Sequence, residues 1–128
     1  PFRLAVDLGS RFPALISATG RCVAAFSNFD AASLRGGFDR LKWDNPVSFR
    51  DWKAQLEETR RNGYGIDRGA YISGVTIVAV PFFDAEGAVS RSMVAIDITD
   101  KIDALGVDKI AGEMLRMRDR AAGYLIGG

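Results

Sequence analysis

The 128-residue sequence contains no histidine and only one cysteine, Cys22. Without histidine, neither a serine–histidine–aspartate triad, nor a cysteine–histidine pair, nor the common zinc ligand sets can form within this chain. A lone cysteine cannot make an internal disulfide, which is typical of a reducing cytoplasm. Catalysis would have to rely on carboxylates, lysine, tyrosine or Cys22. We therefore expect no enzymatic activity, no metal site and no cofactor.

The sequence also lacks an excess of charge and a long apolar run. Its 17 basic and 16 acidic residues are scattered and give a net charge of +1. Proteins that bind nucleic acid usually cluster positive charge, so the chain alone is expected to bind DNA poorly. No apolar run reaches the roughly 18 residues of a membrane span, and no signal peptide is visible. These absences predict a cytoplasmic protein with no membrane partner.

The sequence does contain enough apolar residues to form one hydrophobic core. Its hydrophobic fraction is 48%, over a length typical of a single domain. The first residues, "PFRLAVDLG", alternate apolar and other residues from the start and predict a strand over residues 2–8. Because that strand has no lead-in, we interpret the chain as part of a longer protein.

Two helices are predicted in the first half. "SATGRCVAAF" reads as a helix with Ser17 as its N-cap, and Gly20 inside it predicts a close approach of another backbone or of a ligand. Residues 28–47 are expected to be irregular, with a short helix near residues 31–34. "SFRDWKAQLEETRRNG" is the clearest helix, with Ser48 as cap, an apolar stripe, and Gly63 as its left-handed end.

The second half predicts a hairpin and a last helix. Residues 75–80 form an apolar, β-branched strand, "DAEG" at residues 84–87 turns the chain, and residues 89–96 return as the second strand. A helical pattern follows over residues 100–126, with Gly106 as a candidate break. The order strand, helix, helix, hairpin, helix predicts an α+β domain with an antiparallel sheet.

The glycine-rich segment "GYGIDRG", residues 63–69, superficially resembles a dinucleotide-binding loop. That loop follows a strand and opens a helix, whereas here a helix precedes the glycines and a strand follows. The segment is therefore interpreted as a helix stop and a turn. Asp67 within it has two readings: a turn residue that caps local amides or pairs with Arg68, or a polar acceptor at the rim of a pocket.

The start of the first helix is a second candidate site. Its small residues, Ser17 to Gly20, would expose unpaired amides and a favourable helix dipole, which suit a carboxylate or another oxyanion. A capped helix that packs tightly on the sheet explains the same pattern equally well. Cys22, one turn further, is interpreted as a buried packing residue rather than a reactive thiol.

Two stretches together resemble a known family. "LAVDLGSRFPALISATGRCVAAF" and "LEETRRNGYGIDRGAYISGVTIVAVPFFDAEGAV" resemble the effector-binding domain of IclR-type bacterial transcription regulators. The similarity continues through "SMVAIDI" and "DALG" and so covers nearly the whole chain. It implies a GAF-like, profilin-like antiparallel sheet flanked by helices. It also implies that residues 1–128 are one effector-binding domain, without the family's first strands and N-terminal winged helix-turn-helix.

The resemblance implies a pocket between the sheet and the helix that opens at Ser17. The residues it places in the lining are Leu4, Phe12, Ala18, Thr19, Asp67, Val75, Ile77, Val94 and Ile96. Members of the family bind a small organic or aromatic acid or a lactone, assemble as homodimers or homotetramers, and contact DNA through the missing domain.

Departures from the family pattern bear on the ligand. Leu15 and Arg21 stand where many members carry histidine and lysine, and Val94 and Ile96 replace common serines. The pocket should therefore be more apolar and favour a ligand with a hydrocarbon or aromatic body and one polar end. Since Asp67 and a ligand carboxylate would repel each other, either Asp67 accepts a ligand hydroxyl while the acid meets the Thr19 amide, or the ligand is neutral.

Two other functions remain open from the residues. The chain could be a small enzyme that uses Cys22 or Asp67, or a module that only oligomerises. Selective alkylation of Cys22 at neutral pH would favour the enzyme, and a core without a pocket would favour the oligomerisation module.

Overall fold

A computed structural model of the chain describes the backbone of residues 3–7 and 15–127 and the side chains of residues 15–121. The elements in chain order are β1 (Arg3–Asp7), α1 (Ser17–Phe26), α2 (Ala31–Asp39), α3 (Phe49–Asn62), β2 (Gly65–Arg68), β3 (Val75–Phe83), β4 (Val89–Ile98), α4 (Thr99–Leu105) and α5 (Val107–Gly127). The order is the one expected, with one additional short strand and a split last helix.

The four strands form one antiparallel sheet in the order β1-β4-β3-β2. The predicted hairpin β3–β4 is its centre, and β1 and β2 flank it. Residues directly opposite each other in an antiparallel sheet share a face, so the pairs Asp67–Ile77 and Ile77–Ile96 define one row across three strands. The α+β class and the antiparallel sheet are confirmed.

Helices cover both faces of the sheet. On one face, Ala18 and Cys22 of α1 pack against Ile77 and Ala79. On the other face, which we call the α5 face, α5 and α4 bury ten residues: Val78, Val80, Phe82, Met93, Ala95, Ile102, Val107, Ile110, Ala111 and Met114. We call the face that α1 covers the α1 face. It carries every sequence-predicted site residue whose side chain the structure describes.

Helix α3 forms for the reasons that the sequence indicated. The Ser48 hydroxyl accepts a hydrogen bond from the Asp51 amide at 3.0 Å, which satisfies one of the free donors at the helix start. Trp52, Leu56 and Thr59 face inward, and Gly63 ends the helix with a φ of 82°. This helix packs on α1 and β2, two of the elements that form the α1 face.

Two local expectations are corrected, and a third is confirmed. Ser17 is the first helical residue of α1 and caps nothing, because Ile16 occupies the N-cap position. Helix α2 runs on through the glycine pair to Asp39, since Asp30 caps its start and Gly37 packs against the Leu15 side chain. Gly106, with a φ of 93°, does separate α4 from α5 as expected. Among the described helices, none is long and apolar enough to cross a membrane.

Candidate functional site

The start of α1 lies unusually close to the sheet because two glycines leave room for it. A Cβ on Gly65 of β2 would stand 2.6 Å from the Ala18 carbonyl oxygen, and one on Gly20 would stand 2.0 Å from the Leu15 carbonyl carbon. Neither contact is tolerable for a side chain. The glycines therefore allow the chain before α1 to fold back over the helix and let α1 press against β2, as the sequence predicted for Gly20.

Below α1 the sheet presents an apolar surface. Val75 and Ile77 of β3 alternate with residues of the other face, and so do Val94 and Ile96 of β4. All four pack around Ala18 and Cys22. Ile77 is buried, whereas the other three are only half-buried. This part of the α1 face is thus apolar but incompletely covered by the described residues.

Hydroxyl groups border this apolar surface at the start of α1. The Thr19 Oγ1 and Ser92 Oγ atoms are 2.8 Å apart and form a hydrogen bond between α1 and β4. Ser17 is 7% exposed, and its buried hydroxyl has no hydrogen-bond partner among the residues that the structure describes. Burying an unpaired hydroxyl costs about 1–3 kcal/mol, so such a group needs an explanation.

Ser17 also has an unfavourable backbone. Its φ is 60°, the only positive value at a non-glycine residue within the described part of the chain. A left-handed conformation costs a residue with a Cβ roughly 1–2 kcal/mol. Strain and an unpaired hydroxyl therefore coincide at the first residue of α1, beside Thr19.

Asp67 is buried rather than at a solvent-exposed rim. It is 1% exposed, and its Oδ2 atom lies 3.0 Å from Nη1 of Arg21. Its Oδ1 atom accepts hydrogen bonds from the amides of Ala70 at 3.0 Å and Tyr71 at 3.1 Å. A carboxylate offers about four acceptor positions. Three are taken, so a direct contact from Asp67 to a ligand stays a prediction with one position available.

The partner of Asp67 is not the expected one. Arg68, its neighbour in sequence, pairs instead with Asp103 at 2.6 Å on the surface. The buried partner, Arg21, also donates from Nε to the side-chain oxygen of Gln55 at 2.8 Å. Arg21 therefore ties α1 to β2 and α3 at once, and Asp67 extends this connection to the loop after β2.

Burial lowers the pKa of Arg21, and the attraction and hydrogen bond of Asp67 act in the opposite direction. An arginine stays protonated at neutral pH even so. Because the pair carries no net charge, it adds neither a free cation nor a free anion to the α1 face. Among the described residues, the polar groups that remain beside the apolar surface are hydroxyls and the backbone amides of the first helical turn.

Cys22 is fully buried, and its thiol donates to the Ala79 carbonyl oxygen at 3.5 Å. Burial is the main cause that raises its pKa to about 12. Since the thiolate is the nucleophilic form, a thiol with so raised a pKa is a poor nucleophile at pH 7. The geometry supports the interpretation of Cys22 as a packing residue. No metal-binding group of three or more His, Cys, Asp or Glu side chains occurs in the part of the chain that the structure describes.

The structure brings together six of the nine predicted lining residues on the α1 face: Ala18, Thr19, Val75, Ile77, Val94 and Ile96. Asp67 shares the row of Ile77 but turns its carboxylate to Arg21. Leu4 lies on β1 opposite Ala95, a residue of the α5 face, and its side chain lies outside the described residues. Phe12 lies entirely outside them.

Three polar residues of the site were missed by sequence reasoning: Ser17 as an inward-facing hydroxyl, Ser92 and Arg21. Ser92 had a usable signal, because it precedes Val94 by two residues and so shares its face. Arg21 is the only charged residue of α1, which is a weaker signal. Nothing in the sequence indicated that Ser17 would adopt a positive φ.

The profile of the family described as bacterial transcriptional regulator IclR, C-terminal, matches residues 2–122. The chain belongs to this family, which confirms the resemblance seen in the sequence. It is thus an IclR-type C-terminal effector-binding domain of transcription regulators. No curated protein matches the chain closely enough to count as a relative.

Solved structures share the fold. An IclR transcriptional regulator from Alicyclobacillus acidocaldarius is 25% identical, with a TM-score of 0.71 over 88% of this chain and 46% of that one. The Agobacterium tumefaciens repressor BlcR is 21% identical, with a TM-score of 0.75 over 100% of this chain and 60% of that one. The chain thus spans roughly half the length of these two regulators.

A third solved structure contains a ligand. It is a double mutant of the inducer-binding domain of the PobR transcription factor from Acinetobacter, in complex with 3-hydroxybenzoic acid. It is 16% identical, with a TM-score of 0.66 over 89% of this chain and 67% of that one.

Proposed function

We propose that the α1 face binds a small metabolite with an apolar or aromatic body and one polar end, and that this binding changes how the full-length regulator engages its operator. The observation that carries the proposal is the half-buried apolar surface of Val75, Val94 and Ile96, with the Thr19–Ser92 hydroxyl pair on the same face. The Ser17 hydroxyl, which has no partner among the described residues, lies at the start of the same helix. Exposed apolar area next to a few polar groups is the usual composition of a small-molecule site.

The body of the ligand would lie on the apolar surface and cover Val94 and Ile96. Its polar end would meet the start of α1, where the Ser17 hydroxyl, the amides of Ala18 and Thr19, and the Thr19–Ser92 hydroxyl pair are available. Phe12 completes the lining in this proposal; Leu4 does not, because its register places it opposite Ala95 of the α5 face. The 3-hydroxybenzoic acid bound to the PobR domain has an aromatic body and polar substituents, which supports the ligand class.

The charges favour one arrangement for Asp67. Because Arg21 neutralises the Asp67 carboxylate, a ligand carboxylate at the start of α1 would meet less repulsion than a free aspartate would cause. Asp67 then acts mainly by holding α1 in place through Arg21. A ligand hydroxyl could still reach the remaining acceptor position of Asp67. Whether Asp67 contacts only the protein or also a ligand hydroxyl, the ligand can carry a carboxylate and need not be neutral.

Regulation requires that the ligand bind two arrangements of the protein with different affinity. The α1 face meets this requirement if ligand contact at Ser17 and Thr19 shifts α1, because Arg21 links α1 to β2 and α3. A homodimer or homotetramer would pass this shift to the DNA-binding domains that the family carries.

The proposal is tested by isothermal titration of the chain with benzoate, 3- and 4-hydroxybenzoate, short aliphatic acids and a γ-lactone. We expect saturable binding of at least one aromatic or medium-chain acid. The variant Ile96→Arg, which places a charge on the half-buried surface, should abolish that binding while the chain stays folded. Absence of saturable heat for every compound, or binding unchanged in Ile96→Arg, would show that the α1 face is not the site.

A thiol assay separates this function from the enzymatic alternative. With its pKa raised to about 12, Cys22 should react with iodoacetamide at pH 7.5 only after unfolding. Rapid alkylation of the folded chain would instead support a reactive thiol and the enzyme.

A further inference from the structure

The apolar surface of the α1 face continues past the proposed site, towards the end of β4. Ile98, the last residue of β4, lies directly opposite Val75 and follows Ile96 by two residues, so all three share one face. Ile98 is 55% exposed, more than any other large apolar side chain that the structure describes. Val94, Ile96 and Ile98 thus form a line along β4 with Val75 beside it. We call these four residues the β4 strip.

The loop between β2 and β3 borders the outer end of the β4 strip, and hydrogen bonds hold it in place. Asp67, whose side chain lies on the α1 face, accepts the amide of Ala70, so the loop folds over that face. From the connection between α2 and α3, the Asn45 amide donates to the Ala70 carbonyl oxygen at 2.9 Å. The Asn45 side chain donates to the Gly69 carbonyl oxygen at 2.7 Å and to the Ser73 hydroxyl at 2.8 Å. The loop is therefore fixed before any ligand arrives, which lowers the entropy cost of binding.

Two large side chains of this loop are uncovered next to the β4 strip. Tyr71 is 36% exposed and Ile72 is 39% exposed. The Ile72 carbonyl oxygen accepts the Val75 amide at 3.2 Å, so the loop turns directly into the strip. Contiguous apolar area that stays exposed at such a place is typical of a binding surface.

The dimensions of the β4 strip indicate what covers it. At about 3.3 Å per residue, the strip is roughly 13 Å long from Val94 to Ile98. A stable protein interface buries about 800 Å² on each partner, which is more than four side chains provide. None of the four side chains is charged or polar, and the inner end of the strip adjoins the Thr19–Ser92 hydroxyl pair. A narrow apolar strip with polar groups at one end fits a long apolar chain that carries one polar end.

We propose that the β4 strip is a subsite for the alkyl tail of a straight-chain carboxylic acid of about ten to twelve carbons, since an extended chain covers about 1.2 Å per bond. This inference rests on the proposed function of the α1 face and narrows its ligand class. The carboxylate meets the start of α1, and the tail runs along β4 to Ile98, beside the loop that carries Tyr71 and Ile72. A single aromatic ring is shorter than the strip and leaves Ile98 uncovered.

Isothermal titration of the chain with hexanoate, octanoate, decanoate, dodecanoate and tetradecanoate, each below its micelle concentration, tests the subsite. We expect the Kd to fall about two- to fourfold for each added methylene up to decanoate and to level off beyond dodecanoate, where the strip ends. Ile98→Asp should remove at least about fivefold of the gain in affinity from hexanoate to decanoate. The variant should fold, because Ile98 occupies the N-cap position of α4, where aspartate is favoured.

Two matched variants control for the general effects of the substitution. Ile98→Leu keeps an apolar side chain and should keep the gain with chain length. Leu105→Asp makes the same kind of change at the other end of α4, where Leu105 is 48% exposed, and should leave the whole series unchanged.

The outcomes separate this inference from the proposed function. If hexanoate or benzoate binds but longer acids bind no more tightly, or if the gain survives in Ile98→Asp or is lost equally in Leu105→Asp, the subsite is overturned and the proposed function stands. If no acid binds, both are overturned. If Ile98→Asp weakens self-association in sedimentation equilibrium and leaves the acid series unchanged, a second copy covers the strip, which also overturns the subsite.

Discussion

The two faces of the sheet are built from the same strands but differ in what they bury. The α5 face has a cluster of ten apolar residues, nine of which are at most 4% exposed. The α1 face contains a buried ion pair, a hydroxyl pair, an unpaired hydroxyl and three half-buried apolar side chains. Neighbouring residues of one strand, such as Val80 and Ala79, thus belong to different environments.

From this difference we infer that the α5 face mainly stabilises the fold and that the α1 face carries the function. Apolar burial contributes roughly 25 cal/mol per Å², and the ten residues of the apolar cluster on the α5 face provide it with side chains that carry no hydrogen-bonding hydroxyl, amide or charge. The α1 face gains less free energy from apolar burial because three of its apolar side chains are only half-buried, and the left-handed backbone of Ser17 adds strain. Natural proteins depart from good packing mainly where a function requires it, so the α1 face is the place to expect a ligand.

The largest effect is expected at the ion pair of the α1 face. Asp67→Asn keeps the acceptor for the amides of Ala70 and Tyr71 but leaves Arg21 buried with no opposite charge. Removing one partner of a buried pair costs about 3–5 kcal/mol in the free energy of unfolding. Urea denaturation followed by circular dichroism measures this loss.

The matched control for Asp67→Asn is Asp103→Asn. It removes the same charge from the exposed pair with Arg68, where both side chains are about half exposed. There we expect a loss below about 1 kcal/mol. Equal losses at the two sites would mean that the Arg21–Asp67 pair is not the structural connection we describe.

The second largest loss in the free energy of unfolding is expected on the α5 face. Ile102 is completely buried in its apolar cluster, and Ile102→Ala should lower the free energy of unfolding by about 2–5 kcal/mol through lost burial and a cavity. Ligand affinity, measured well below the melting temperature, should stay unchanged because Ile102 lies across the sheet from the site. A lower affinity would show that the two faces are not independent.

The fold was largely predictable from the sequence because its signals are local. The apolar alternation of residues 75–80, the "DAEG" turn and the Ser48 cap each depend on a few neighbouring residues, and all three are confirmed. Helix α2 was underestimated, because its glycine pair looked like a break. What extends the helix is tertiary: the Leu15 side chain packs on Gly37.

The site was only partly predictable, since its polar groups depend on contacts between distant segments. Val75, Ile77, Val94 and Ile96 came from the family resemblance, and the period of two agrees with their placement on one face. The partner of Asp67 could not be found that way, because Arg21 is 46 residues away in sequence. The family resemblance also supplied Ala18 and Thr19. The face of Ser92 could be read from its spacing to Val94, but its hydrogen bond with Thr19 is seen only once α1 lies on β4.

A matched pair of valines tests the contrast of faces directly. Val80 is fully buried on the α5 face, and Val80→Thr should cost about 1–3 kcal/mol because its hydroxyl finds no water. Val94 is half-buried on the α1 face, so Val94→Thr should cost less than about 1 kcal/mol and shift ligand preference towards more polar acids. Differential scanning calorimetry of both variants gives the comparison, and equal costs would contradict it.

The smallest expected change in the free energy of unfolding is at Ser17, and it is a gain rather than a loss. Ser17→Gly relieves the roughly 1–2 kcal/mol of a left-handed backbone but adds about 0.4–1 kcal/mol of chain entropy to the unfolded state. We therefore expect a net gain of about 0.5–1 kcal/mol in the free energy of unfolding, measured by urea denaturation, together with weaker ligand binding. Ser17→Ala removes the hydroxyl and keeps the strain, so it should weaken binding while staying less stable than Ser17→Gly. If Ser17→Gly instead destabilises the chain and leaves binding intact, Ser17 is held in place by packing, and its strain has no connection with the ligand.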